Sequence, residues 1–181
     1  TKIYTNNFAT LYINHGVAPT KQKYAYAVIP GATEQELSAY NENPDFEILM
    51  QTEDCHAVYE KTLGVTAINN YGESDVTVRG ITVPGRVCVI ASTKGDEVTL
   101  AVSDPTMKRT DSVEITLPYK AGIVVSKSES VSINSNTAVF SFNETYGDSL
   151  LITYKKDLPE SLESGITSYI SKEDSYYGVN G

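Results

Sequence analysis

The feature that most constrains this chain is a train of short runs in which apolar and polar residues alternate. The runs are Phe46–Gln51, His56–Lys61, Leu63–Asn69, Val76 with Val78, Ile81 with Val83, Arg86–Ser92, Val98–Val102, Val113–Leu117, Ile123–Ser126, Val131–Ile133, Ala138–Phe142 and Leu150–Tyr154. Alternation with period two places one face of a strand in a core and the other outside. Turn formers separate the runs: Asn69-Asn70-Tyr71-Gly72, Lys94-Gly95-Asp96, Asp104-Pro105, Pro118, Asn134-Ser135-Asn136 and Tyr146-Gly147-Asp148. Short strands about 8–12 residues apart with no helical stretch between them predict an antiparallel β-sandwich. Thirteen Tyr, no Trp and many β-branched residues favour sheet as well.

Upstream of that train, Lys2–Tyr4, Phe8–Asn14 and Tyr24–Ile29 also read as strands, the last two facing each other across a loop with Gly16 and Pro19. One short helix is expected over about Glu34 to Tyr40. Thr33 and Glu36 form a Thr-x-x-Glu capping box at its start, and Asn43-Pro44 ends it. Pro84-Gly85 reads as a tight connection or domain edge. These signals divide the chain into residues 1–75, residues 76–157 and a Ser- and Glu-rich linker or tail at 158–181. The chain opens inside a β-pattern without Met or signal peptide, as expected of a fragment, a processed product or an expressed domain. It holds no apolar run near the ~20 residues that span a bilayer.

A net charge of −9 and a pI of about 4.7 argue against a grip on nucleic-acid phosphates. They also disfavour a long anionic polymer lying across the average surface, while leaving room for a local basic patch. Cys55 and Cys88 are too few for a disulfide framework; Cys55 follows a turn, Cys88 reads as a small core residue, and a bridge between them is left open. No zinc-type spacing occurs. His15, before Gly16 at a strand end, has the pKa range of a general base but no carboxylate or nucleophile beside it, so a turn hydrogen bond is its expected role. His56 stands next to Cys55 and Asp54, but neighbours on a strand face opposite ways and make a poor metal site. Glu53-Asp54, Glu42 with Asp45, and Asp96-Glu97 are carboxylate pairs in turns, read as solvated rather than as a glycosidase or calcium site. Tyrosines 24, 26, 119, 146, 154, 176 and 177 are candidates for a sugar-stacking platform or for the core edge.

The segment Phe8–Gly31 has a strand ending in His15-Gly16, then Pro19, then Tyr24-x-Tyr26 in a strand closed by Pro30. In that order it resembles polysaccharide lyases of family eight, late in their central β-domain. Gln51-Thr52-Glu53, His56-Ala57-Val58 and Leu63 to Asn69 resemble the start of the family's C-terminal region. Val98 to Thr106 resembles its strand-and-turn signature. After Asn69 the chain reads Asn70-Tyr71, where many relatives carry an aromatic pair.

The resemblance implies an all-β chain: the end of a central β-supersandwich plus a C-terminal β-sandwich, with one short helix. It implies a secreted or cell-surface parent that cleaves uronic-acid polysaccharides of the hyaluronan type by β-elimination. The partners implied are an acidic polysaccharide and an upstream helical toroid that carries the family's catalytic Asn, His, Tyr and Arg. Accordingly no catalytic, cofactor or metal residue is assigned here, and the chain alone is expected to be inactive. The competing expectation is a free-standing carbohydrate-binding or surface-interaction module.

Overall fold

The computed structural model describes residues 5–7 and 10–157. The chain divides into two compact units, Thr1–Glu42 and Asn43–Gly181.

In the first unit the regular element among the described residues is helix α1, Glu34–Glu42. The capping box forms as the sequence predicts: the Thr33 amide donates to Glu36 Oε2 (2.7 Å), and the Glu36 amide donates to Thr33 Oγ1 (3.3 Å). The expected strands at Phe8–Asn14 and Tyr24–Ile29 do not form within the described residues 10–14 and 24–29, and Lys2–Tyr4 and Phe8 lie outside them. Leu11 and Val28 are exposed there. An alternating run becomes a strand only when a second strand completes its ladder, and no ladder partner for these two runs is present among the described residues.

The second unit is the sandwich. Its strands are β1 (Phe46–Gln51), β2 (Cys55–Glu60), β3 (Val65–Asn70), β4 (Val76–Val78), β5 (Ile81–Val83) and β6 (Val87–Lys94). They continue with β7 (Glu97–Ser103), β8 (Ser112–Thr116), β9 (Ala121–Lys127), β10 (Val131–Asn134), β11 (Thr137–Ser141) and β12 (Leu150–Lys156). One sheet has the order β1-β2-β3-β6-β7-β12-β9 and the other β10-β11-β8-β5-β4, with antiparallel pairing throughout. Alternate residues fill the space between the sheets. Ile68, Val87, Val89, Leu100, Val102, Ile152 and Tyr154 come from the larger sheet, and Val83, Ile115, Ala138 and Phe140 from the smaller. Each large apolar side chain buried there contributes roughly 1.5–3 kcal/mol.

The boundary between units falls at Asn43, not after residue 75. Pairing explains the difference. β1, β2 and β3 form a meander whose last strand continues into β6, so residues 46–70 belong to the same sheet as the strands beyond them. Pro84-Gly85 is likewise no domain edge. The chain leaves β3, crosses to the smaller sheet for the β4–β5 hairpin, and returns at Pro84-Gly85 to lie beside β3 as β6. The return is tight: a Cβ on Gly85 would stand 2.4 Å from the Glu73 carbonyl oxygen. Asn70, expected in a turn, is instead fully buried at the end of β3. Its Nδ2 lies within hydrogen-bond distance of the Ser74, Val83 and Pro84 carbonyls (2.9, 3.2 and 3.0 Å), tying the excursion to the sheet it left. The tail at 158–181 lies outside the described residues.

Candidate functional site

At one end of the sandwich the two sheets part to leave a cleft of about 160 Å³. Tyr59 of β2, Thr66 of β3 and Thr93 of β6 line it from the larger sheet. Arg79, between β4 and β5, and Tyr119, just beyond β8, line it from the smaller, over a floor that includes Leu100. The β4–β5 hairpin sets the position of Arg79. Its two-residue turn, Arg79-Gly80, has φ of 50° and 77°, the both-positive geometry of a type I′ turn, which favours Asn-Gly and is costly for a long L-residue. Gly80 could not be replaced freely either, because a Cβ there would stand 2.8 Å from the Pro118 Cβ.

The cleft is flanked by cations stacked on rings. The Arg79 guanidinium carbon lies 3.8 Å from the Tyr59 ring centroid. The Lys156 ammonium lies 4.4 Å from that of Tyr119 and donates to the Gly95 carbonyl (3.0 Å). The ion pairs among the described residues are Arg86–Glu73, Arg109–Asp111 and Lys155–Asp96, so neither Arg79 nor Lys156 has a carboxylate partner there. Beside Tyr119, on β12, Tyr154 is fully buried and its hydroxyl has no hydrogen-bond partner. Burial first, and then the Tyr119 phenol, push that hydroxyl's pKa up.

A second polar centre sits in the connection from β7 to β8, which carries the chain from one sheet to the other. Asp104 is 2% exposed. Its Oδ1 accepts the Thr106 amide (2.8 Å), and its Oδ2 accepts the Lys108 and Arg109 amides (both 2.8 Å). The Thr106 hydroxyl lies within 2.9 Å of both carboxylate oxygens. Burial by itself would raise the pKa of this carboxyl. The Arg109 amide, the Thr106 hydroxyl and amide, and the Lys108 amide outweigh it and hold the group at about 2.

The residues singled out in the sequence are scattered. His15 tilts against Tyr24 (6.2 Å between centroids), and Tyr24 stacks on Tyr26 (6.4 Å, 11°). The turn bond expected of His15 is made by its neighbour: Asn14 Oδ1 accepts the Gly16 amide at 2.8 Å. Gly16 does adopt the positive φ, 80°. His56 meets Tyr71 edge to face at 5.7 Å, on the face of β2 opposite Cys55. The cysteine expectation is reversed: Cys55 is fully buried in the core, whereas Cys88 is half-buried. Both are free. Pairing sets Cys55 beside Asn70 and Val87 in one row, and His56 beside Asn69 and Cys88 in the next, so the pleat points the two thiols to opposite faces.

Glu53 and Asp54 are exposed, while Asp96 pairs with Lys155 at 3.6 Å. Among the described residues no three His, Cys, Asp or Glu side chains gather as metal ligands. Of the tyrosines proposed for a platform, Tyr119 lines the cleft, Tyr154 is buried behind it, Tyr146 is exposed elsewhere, and Tyr176 and Tyr177 lie outside the described residues. Tyr59 and Arg79 carry no site signature in the sequence. Their one visible signal was Val-Arg-Gly-Ile, a two-residue hairpin turn with Arg in a place that suits Asn.

A sandwich of this topology, preceded by a separate unit, matches one group of carbohydrate-active proteins. The super-sandwich domain of polysaccharide lyase family 8 matches residues 1–41, and the family's C-terminal β-sandwich domain matches residues 47–113. The chain belongs to polysaccharide lyase family 8, as its C-terminal portion. It is 31% identical over 142 residues to hyaluronate lyase HylB of Enterococcus faecalis, covering 78% of this chain and 14% of that protein. It is 32% identical over 118 residues to a xanthan lyase of Bacillus sp., covering 65% of this chain and 13% of the relative. Its fold matches a chondroitin AC lyase of Streptomyces coelicolor at a TM-score of 0.67 and 22% identity, over 79% of this chain and 19% of that one. The gap between the two family matches, at residues 42–46, brackets the boundary at Asn43.

Proposed function

We propose that this chain is the C-terminal region of a secreted lyase that cleaves uronic-acid polysaccharides by β-elimination, and that it supports the reaction without carrying it out. In that reaction a base removes the proton α to the uronate carboxyl and the bond to the leaving oxygen breaks. An acid protonates that oxygen, and the electron pair of the broken C–H bond becomes the new C=C bond of the product. The observation that carries the reading is the consecutive match of two domains of one lyase family, in a chain that spans 14% and 13% of two curated relatives. The catalytic groups belong, on this reading, to a helical domain upstream.

The test is ultraviolet absorbance of unsaturated uronate product with hyaluronan, chondroitin and xanthan. The chain alone is expected to give none, and the full-length parent is expected to turn over at least one of them. Turnover by the isolated chain, or an inactive full-length parent, would overturn the reading.

A further inference from the structure

The cleft between the sheets is lined by Tyr59, Thr66, Arg79, Thr93 and Tyr119 among others. We propose that it is a binding subsite for a single uronate residue, such as the end of a uronic-acid saccharide, with Arg79 receiving the carboxylate and Tyr119 the sugar face. The choice of a uronate over other carboxylated rings rests on the lyase reading above; the pocket and its charge do not.

Three independent observations converge there. Arg79 is held at a φ of 50° in a turn where Asn or Gly would relax the backbone, and backbone strain of this kind clusters at functional sites. Its guanidinium carbon lies 3.8 Å from the Tyr59 ring centroid. That stack fixes the fork in place while leaving its edge N–H groups available for the bidentate geometry a carboxylate accepts. Finally, this cation has no carboxylate partner among the described residues, in a chain with 23 acidic residues against 14 basic ones.

Size and lining narrow the ligand. About 160 Å³ is many times the ~10–15 Å³ that one water requires. It is also well short of the ~300–1,000 Å³ of sites that enclose a drug-sized molecule. One sugar ring suits that space and a chain of rings does not. The hydroxyls of Thr66 and Thr93 offer donors and acceptors to ring hydroxyls, and the Tyr119 ring offers an apolar plate to the C–H face of a pyranose. Lys156, 4.4 Å from the Tyr119 ring centroid, adds a second positive charge next to one of the lining residues. A single-ring site is also compatible with the acidic surface, which repels a long polyanion but leaves one anionic group free to enter a locally positive cleft.

The experiment uses the 181-residue chain and backbone amide NMR with sodium glucuronate, methyl glucoside and sodium sulfate as separate titrants. Glucuronate is expected to shift the amides of Arg79, Gly80 and Tyr119 saturably, with methyl glucoside and sulfate each at least about tenfold weaker. Arg79→Asn relieves the turn and removes the charge, so it should raise Tm while weakening glucuronate about tenfold or more. Tyr119→Leu should weaken glucuronate with the fold intact. Glucuronate that leaves these amides unmoved, methyl glucoside that binds equally well, or sulfate that binds equally well would each overturn the proposal. An Arg79→Asn variant that keeps full affinity would do so as well. Failure of the lyase reading shows separately, as an inactive full-length parent whose C-terminal region still binds glucuronate.

Discussion

Asp104→Asn should destabilise the sandwich at neutral pH and remove the share of its acid sensitivity that Asp104 carries. Asp104 has an ordinary carboxyl value of 3.8 in the unfolded chain and about 2 in the folded one. At about 1.4 kcal/mol for each pH unit, that difference contributes roughly 2 kcal/mol. The folded value is the lower one, so the stabilisation is fully present above pH ~4 and disappears as the pH falls toward ~2. In the Asn variant, the amide NH2 must face either the Thr106 amide or the Lys108 and Arg109 amides, placing donor against donor. Arg109 also donates through Nη2 to the Gly85 carbonyl (2.9 Å), so a loosened 104–109 loop would release the return from the β4–β5 excursion as well. Urea unfolding of both proteins at pH 7, 5, 3 and 2 measures this. The difference between them should be about 2 kcal/mol or more at pH 7 and 5, shrink at pH 3, and approach zero near pH 2. A difference that stays constant across the series would mean that the carboxylate charge is not what holds the loop.

The other expectations concern the cysteines and the first unit. In the native chain at pH 8 neither thiol should react quickly with a disulfide reagent. Cys55 is buried, and burial and then the Asp104 charge push the Cys88 thiol up; two thiols should titrate on unfolding, and a value near zero would reveal a bridge. Native-state hydrogen exchange should show strong protection in β7 and β12 and little between residues 10 and 28. Equal protection in both would mean that the upstream runs have found ladder partners.

Most of the sandwich is legible because each of its strands carries its own alternation. Val98–Val102 and Ala138–Phe142 expose every second residue to a different environment, and they fold as strands within a residue or two of where the pattern puts them. The cysteines show where that signal fails. Val87–Ile90 is four apolar residues in a row, so the pattern does not say which two face inward. Ile90 and Cys88 point outward because the outer face of the large sheet is itself partly apolar. Ile48, Val58, Ala67, Ile90, Ala101 and Leu151 form one cross-strand row along it. Only the pairing register decides which thiol is buried.

The candidate site fails to show in the sequence for a different reason. Tyr59 and Arg79 are separated by twenty positions and belong to different sheets. Their meeting depends on the hairpin β4–β5 crossing the core, which no local pattern announces. The turn Arg79-Gly80 is visible as a turn, yet the meaning of its Arg appears only when the guanidinium is found over a ring, without a carboxylate, beside a cleft. The upstream runs fail in the opposite sense, because Tyr24–Ile29 has all the alternation of a strand and none of the pairing among the described residues. Alternation measures readiness to join a sheet, while a strand is a statement about its neighbour. Residues 1–41 match the super-sandwich domain of polysaccharide lyase family 8. The C-terminal sandwich, by contrast, pairs all twelve strands of its described residues among themselves, and there the alternating runs do become strands.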